Sequence, residues 1–397
     1  MAKHQVLLVP GFFGFGQLGE LTYFVGVREA LEREFRALGL DVTVSEVATL
    51  PTASIRFRAA KVRDRLAALA AESDGPIHIV GHSTGGLDAR LAIAPTASLP
   101  SAVPFVAYDR VHSLVTIATP HFGTPVATFF SSTMGKPLLR LLALATVFTL
   151  RRGRLPLGVL IKAGRLFSRL DDLAGMKGTV LDQLFNQLLG EFDAARQKEI
   201  LEFVVGVAGD QSLVFQLTPA ACDLLNASTA DPDGVRYGSV TTLAPKTSAG
   251  AFWRHGADLY AQGMHVFYAA LHTIAARSMA TELPPPASEQ RAVLEASYGR
   301  PVSSRDNDGL IPTISQVWGT VIHASRADHL DVVGHFGRSI EGHTESDWLP
   351  SDARFDERAF SALWSDVARF ITYEILNPAS KDTRQPGVER TELPHAR

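Results

Sequence analysis

Residues 81–86 read Gly-His-Ser-Thr-Gly-Gly, a serine framed as G-x-S-x-G. The frame lies between the apolar run Ile77–Val80 and a helix-forming stretch, Thr84–Ile93. A sharp strand-to-helix turn at this point lifts Ser83 out of the sheet, and glycines leave room around it. It also aims the free N–H groups of a helix N-terminus at any anion forming beside the serine. The chemistry implied is nucleophilic attack by Ser83 with an acyl-enzyme intermediate. A serine hydroxyl needs a base in hydrogen-bond reach, and that base needs an orienting acid.

With a nucleophile on such a turn, the partners follow in the order acid, then histidine. The stretch Arg305-Asp306-Asn307-Asp308-Gly309 precedes a strand at Thr320–Ala324, and Asp328-His329-Leu330-Asp331 follows it. His329 is therefore the expected base among 13 histidines, with His335 and His343 as rivals on the same stretch. Asp308 is the expected acid, because the Asn-Asp-Gly turn presents its carboxylate inward; Asp306 is the alternative. His82 neighbours the serine, but its side chain is expected to point away from the catalytic face. A tetrahedral oxyanion needs two N–H donors. Thr84, directly after the serine, is one. The loop Pro10-Gly11-Phe12-Phe13-Gly14-Phe15-Gly16 after the first strand offers the other, at Phe12, with Phe13 and Phe15 lining an acyl site.

These residues need a scaffold of strands ending at one edge. Gln5–Val9, Val42–Val47, Ile77–Val80 and Val111–Ala118 are short apolar runs that predict strands. Between them, Tyr23–Leu38, Ile55–Ala71 and Thr84–Ile93 have helical patterns. This alternation implies an α/β fold with a mostly parallel central sheet flanked by helices. It breaks from Phe129 to about Phe203, where helix-like segments succeed one another. Strand character returns at Val235–Leu243, followed by helices at Leu259–Met279 and Arg358–Leu376. The expected division is a core of residues 1–128 and 235–376, a helical lid or cap insertion at 129–234, and a flexible tail at 377–397.

The chain has 397 residues, with 46% hydrophobic and 20% charged, enough apolar surface for a large core and too much for a disordered chain. Lys and Arg total 38 against 41 Asp and Glu, a net charge of −3, so no global field attracts nucleic acid. One cysteine, Cys222, excludes an internal disulfide and a thiolate metal cluster, and its apolar surroundings predict a packing role. The N-terminus runs straight into a strand without a signal-peptide core, which implies a cytoplasmic protein as written, or an exported one if a leader has been removed. The composition leaves the oligomeric state open.

The motifs Val9-Pro10-Gly11-Phe12, Gly81 to Gly86, Ala118-Thr119-Pro120-His121-Phe122-Gly123-Thr124, Asn307-Asp308-Gly309-Leu310 and His329-Leu330-Asp331 recur in this order in bacterial true triacylglycerol lipases. The chain resembles that α/β-hydrolase lipase and esterase group over residues 5 to about 335. The resemblance implies Ser83, Asp308 and His329 as triad, Phe12 and Thr84 as oxyanion donors, and a sheet without the first strands of the larger hydrolase fold. No cofactor is required. Many members carry a structural Ca²⁺ held partly by the aspartate two residues after the histidine, a position filled here by Asp331. The chain departs from the group in three places. Pro10-Gly11 stands where His-Gly is usual, the usual glutamine is His335, and no distal aspartate matches.

Within the insertion, Lys136, Arg140, Arg151, Arg152, Arg154, Lys162, Arg165 and Arg169 accompany apolar runs, with no acidic residue before Asp171. A movable lid that docks on lipid–water interfaces and a fixed cap with cations outside both fit this pattern. Either gives an apolar roof over Ser83, hence hydrophobic ester substrates. The leading expectation is a carboxylic ester hydrolase of lipase or esterase type. Acyl transfer and cleavage of lactones, amides or polyesters share the same triad, and a silent binding protein usually lacks a triad member. Dehalogenase and epoxide hydrolase chemistry generally needs Asp in place of Ser83.

Overall fold

The computed structural model describes residues 3–12, 23–101, 108–132, 185–187, 189–190, 197–198, 212–246, 259–279, 283–337, 339–340, 343–344, 347 and 349–376. Most of the expected insertion, together with Phe13, Phe15 and the tail, lies outside them.

Six strands form one sheet: β1 (His4–Val9), β2 (Val42–Glu46), β3 (Ile77–His82), β4 (Val111–Ile117), β5 (Arg236–Thr242) and β6 (Thr320–Ser325). Their order is β2-β1-β3-β4-β5-β6, and each adjacent pair is parallel. Strand alternation divides the core. Val6 and Leu8 face helices α1 (Val27–Ala37) and α9 (Glu357–Leu376), around the buried Trp364. Leu7 and Val9 face α2 (Ile55–Glu72) and α3 (Thr84–Ile93) on the other side. A sheet covered on both faces explains why its strands read as continuous apolar runs.

The chain begins at β1, steps outward to β2 and returns across β1 to β3. The loops after β1 and β3 therefore leave the sheet side by side, where open α/β sheets form their crevices. Helix α1 starts later than the periodicity suggests. Gly26 takes a left-handed conformation at φ 70°, and the residues before it pair with a distant loop instead.

Short helices α4 (Pro125–Ser131), α5 (Ser212–Gln216) and α6 (Pro219–Ser228) follow β4 and precede β5. Helix α7 (Leu259–Ala275) lies within its expected span, and α8 (Ser288–Tyr298) packs against β6. A two-stranded antiparallel pair, β7 (Ser339–Ile340) with β8 (His343–Thr344), completes the described elements. No helix among the described residues is long and apolar enough to cross a membrane.

Candidate active site

Ser83 lies between β3 and α3 at φ 54° and ψ −129°, a strained conformation for a residue with a side chain. The turn is held by Ser83 N–H donating to Ile117 O at 2.8 Å and Gly86 N–H donating to Ser83 O at 3.1 Å. Gly85 is needed because the helix start presses on β1: a Cβ there would lie 2.2 Å from the carbonyl oxygen of Val9.

His329 follows β6 and Asp308 precedes it, and the sheet brings both to Ser83. His329 Nε2 is 2.9 Å from Ser83 Oγ, and His329 Nδ1 is 2.8 Å from Asp308 Oδ2. A carboxylate only accepts, so Nδ1 carries the proton and Nε2 accepts from the serine. The backbone fixes the same spacing, since His329 N–H donates to Asp308 O at 3.1 Å. All three side chains are buried.

Asp308 has no exposed surface, yet five donors meet it. Leu310 N–H and Ile311 N–H reach Oδ1 at 3.0 and 2.7 Å. Thr242 Oγ1–H, Gln316 Nε2–H and His329 Nδ1–H reach Oδ2 at 2.8, 3.2 and 2.8 Å. Gln316 is in turn oriented by Thr242 N–H, which donates to its Oε1 at 2.7 Å. Asp306 points elsewhere: Arg300 grips both its oxygens at 2.7 Å, and Ser303 N–H donates to it. Burial opposes its ionisation, but these partners win and hold its carboxyl below the usual range.

The loop after β1 lies directly against Ser83. A Cβ on Gly11 would sit 2.6 Å from Ser83 Cβ. Arg58, fully buried on α2, donates Nη2–H to the carbonyl oxygens of Pro10 and Gly11, each at 3.0 Å, and to Thr84 Oγ1 at 3.3 Å. Its charge is met by Asp88 Oδ2 at 2.8 Å. Burial pushes the Asp88 carboxyl up to about 6, against the pull of Arg58. In a trans peptide the carbonyl and the following N–H point in opposite directions. Binding of Gly11 O by Arg58 therefore turns the Phe12 N–H away from α2. The Phe12 ring packs on the apolar cluster of Ile55, Leu87, Leu213 and Cys222.

His82 differs from its expected orientation. Its ring packs 4.8 Å from that of His329, and its Nε2–H donates to the His329 carbonyl at 2.9 Å. Burial, and then the neighbouring His329 imidazole, hold it neutral, well below the usual histidine range. His335 is buried and donates Nε2–H to Tyr23 O at 3.0 Å. His343 lies on β8. His121, from the motif after β4, stacks on Trp318, and its backbone N–H bonds to Ser315 O at 2.9 Å, bracing the loop that carries Asp308. Cys222 is buried in α6, and desolvation raises its thiol to about 12, consistent with the packing role.

Asp331 has neighbours that the sequence did not single out. Asp328, Asp331 and Asp347 bring carboxylate oxygens within 4.8 Å of one another. Among the described residues no Lys or Arg pairs with them. Burial raises Asp328 and Asp331 well above the usual range, and mutual repulsion adds to it; burial raises Asp347 to about 6. A closely spaced, oxygen-only donor set without a protein counter-charge fits a hard divalent cation. Thr242, Gln316, Arg58 and Asp347 were not anticipated, because nothing in residue type or spacing marks them. Asp328 is the exception, since D-x-x-D beside the histidine is a readable pattern.

Residues 3–154 match the model of the family described as "Putative serine esterase (DUF676)". Among solved structures, the chain is similar to a metagenomic carboxyl esterase at 17% identity and TM-score 0.50, over 94% of this chain and 77% of that one. It is similar to the lipase of Staphylococcus hyicus at 16% identity and TM-score 0.51, over 95% and 97% of the two chains. EstA from Clostridium botulinum matches at 18% identity and TM-score 0.50, over 93% and 87%. These likenesses establish the α/β-hydrolase fold.

Proposed function

We propose that this α/β-hydrolase-fold chain is a serine carboxylic-ester hydrolase of lipase or esterase type, acting on hydrophobic acyl esters. The observation that carries the reading is the unbroken line from Ser83 Oγ through His329 to Asp308, at 2.9 and 2.8 Å, on a serine at positive φ.

Ser83 attacks the ester carbonyl while His329 Nε2 takes its proton. Asp308 holds the imidazole in the required tautomer and stabilises the imidazolium that forms. The N–H groups of Thr84, at the first turn of α3, and of Phe12, turned away from Arg58, receive the oxyanion. Each such donor is worth about 10²–10³ in rate. His329 returns the proton to the departing alkoxide, leaving an acyl-enzyme and free alcohol. Water activated by the same histidine then releases the acid. An apolar roof from the insertion at 129–234 would favour acyl chains over polar esters, and its cations suit a lipid–water interface.

Asp328, Asp331 and Asp347 would hold a structural Ca²⁺. It would tie the loop carrying His329 to residues 347–351, and no step of ester cleavage passes through it.

The test is turnover of p-nitrophenyl esters from acetate to palmitate by wild type and Ser83→Ala. Triglyceride emulsion and added alcohol extend the series. Loss of activity in Ser83→Ala with free acid as product supports the reading. Retained turnover would sink it, and an alkyl ester as main product would make the enzyme an acyltransferase.

A further inference from the structure

Behind the Ser83–His329 pair, a buried chain of hydrogen bonds joins three parts of the site. Tyr23 stands at its centre. The backbone around Tyr23 is fastened to the loop carrying His329: Val25 N–H donates to Val333 O at 2.9 Å, and His335 Nε2–H donates to Tyr23 O at 3.0 Å. The hydroxyl faces the other way. It lies against the Gly11 backbone and donates to His82 Nδ1 at 2.7 Å. His82 then donates through Nε2–H to the carbonyl of His329 at 2.9 Å. A Cβ on Gly11 would lie 2.7 Å from the Tyr23 oxygen, so the glycine is what admits the hydroxyl to the loop.

The carbonyl at its far end fixes the direction of this chain. A carbonyl oxygen can only accept, and a neutral imidazole that donates through Nε2 has a bare Nδ1. The Tyr23 hydroxyl must therefore pass its single proton towards His82, and His82 must be the Nε2–H tautomer. Burial keeps the phenol protonated and the imidazole neutral, so the arrangement has one state. The links connect the loop after β1, the residue before the nucleophile and the backbone of the base.

We propose that Tyr23 is a positioning residue. Its hydroxyl, through Gly11 and His82, sets where the oxyanion loop and His329 stand relative to Ser83. The inference rests on the ester-hydrolase reading. Tyr23→Phe removes one oxygen, leaves His82 Nδ1 without its partner and opens a gap beside Gly11. Small misplacements of reacting groups cost rate rather than binding.

The experiment compares wild type with Tyr23→Phe on p-nitrophenyl butyrate, with active sites counted by a p-nitrophenyl phosphonate titrant. The expected result is a roughly tenfold lower kcat per titrated site, with KM within about twofold. A structural role alone would lower the melting temperature or the titratable fraction and leave kcat per site intact, and that result overturns the proposal. Nitrogen-15 spectra of the His82 ring in the wild-type protein give a second check that needs no variant. Protonation at Nε2 with bare Nδ1 is expected, and the opposite tautomer overturns the proposal. A Ser83→Ala protein that still turns over would instead defeat the ester-hydrolase reading itself.

Discussion

Asp308 on one side of β6 and Asp328 and Asp331 on the other are buried carboxylates, the latter two joined by half-buried Asp347, yet their surroundings are opposed. Five donors converge on Asp308, two of them rigid backbone N–H groups. The second group has donors too: Leu330 and Asp331 N–H on Asp328 Oδ1, Ser351 Oγ–H on Asp328 Oδ2, and Leu349 N–H on Asp347. There, however, each carboxylate also faces the other two. Asp88 is an intermediate case: one oxygen is bound by Arg58, while Oδ1 is buried without a hydrogen bond. Depth alone does not decide what a carboxyl group can do. The balance of donors and like charges around it does.

The sharpest way to break this contrast is Asp308→Asn. The backbone N–H groups of Leu310 and Ile311 hold the amide oxygen at the Oδ1 position, so the amide NH₂ turns to His329 Nδ1. The histidine is forced into the wrong tautomer, and kcat should fall about 10⁴-fold with the fold intact. A loss below tenfold would mean that Asp308 does not orient the base. Gln316→Leu takes one donor from the same carboxylate and frees Thr242. Steady-state kinetics should show kcat reduced roughly tenfold, in line with the ~1.5–3 kcal/mol of a hydrogen bond to a charged group.

At the opposed site the measurement is melting temperature in excess Ca²⁺ and in a chelator. At a hundredfold over Kd the cation should add about 2.7 kcal/mol, and Asp347→Asn should weaken the response. Identical melting in both buffers counts against the cation. The smallest effect belongs to Asp88. Its folded carboxyl holds a proton up to about pH 6, above its unfolded value. Its contribution to stability is therefore fully present below the unfolded value and fades as pH rises through about 6. Asp88→Asn should lose that slope, so denaturation of the two proteins should diverge between about pH 4 and 6 and run parallel above it.

The parts of the molecule that were legible in sequence are those with a local cause. The parallel sheet announced itself in apolar runs because both of its faces are covered. The serine turn was readable because its glycines are required by contacts within a few residues of one another. Asp308 and His329 were readable because they bracket a strand. By contrast, Gln316 and Thr242 meet only because β5 ends beside a short turn at Thr313–Gln316. Arg58 looks like one more cation on a helix with several, and only the fold shows that it is fully buried. The place of His82 on the strand gives no sign of a role, whereas the fold brings Tyr23 and the His329 carbonyl to its two nitrogens. Helix α8, after Pro284-Pro285-Pro286, has a weak pattern and was not singled out, and Phe13 and Phe15 lie outside the described residues.

The site is also divided in time. Ser83 and the loop that faces it are made well before the His329 nitrogen that meets the hydroxyl, which lies 246 residues further on. Domains made on the ribosome begin to order before synthesis ends. A nascent chain can thus form the serine turn long before His329 and Asp308 have left the exit tunnel. During that interval the hydroxyl lacks its histidine partner, and the line from Ser83 to Asp308 closes only when β6 docks on β5.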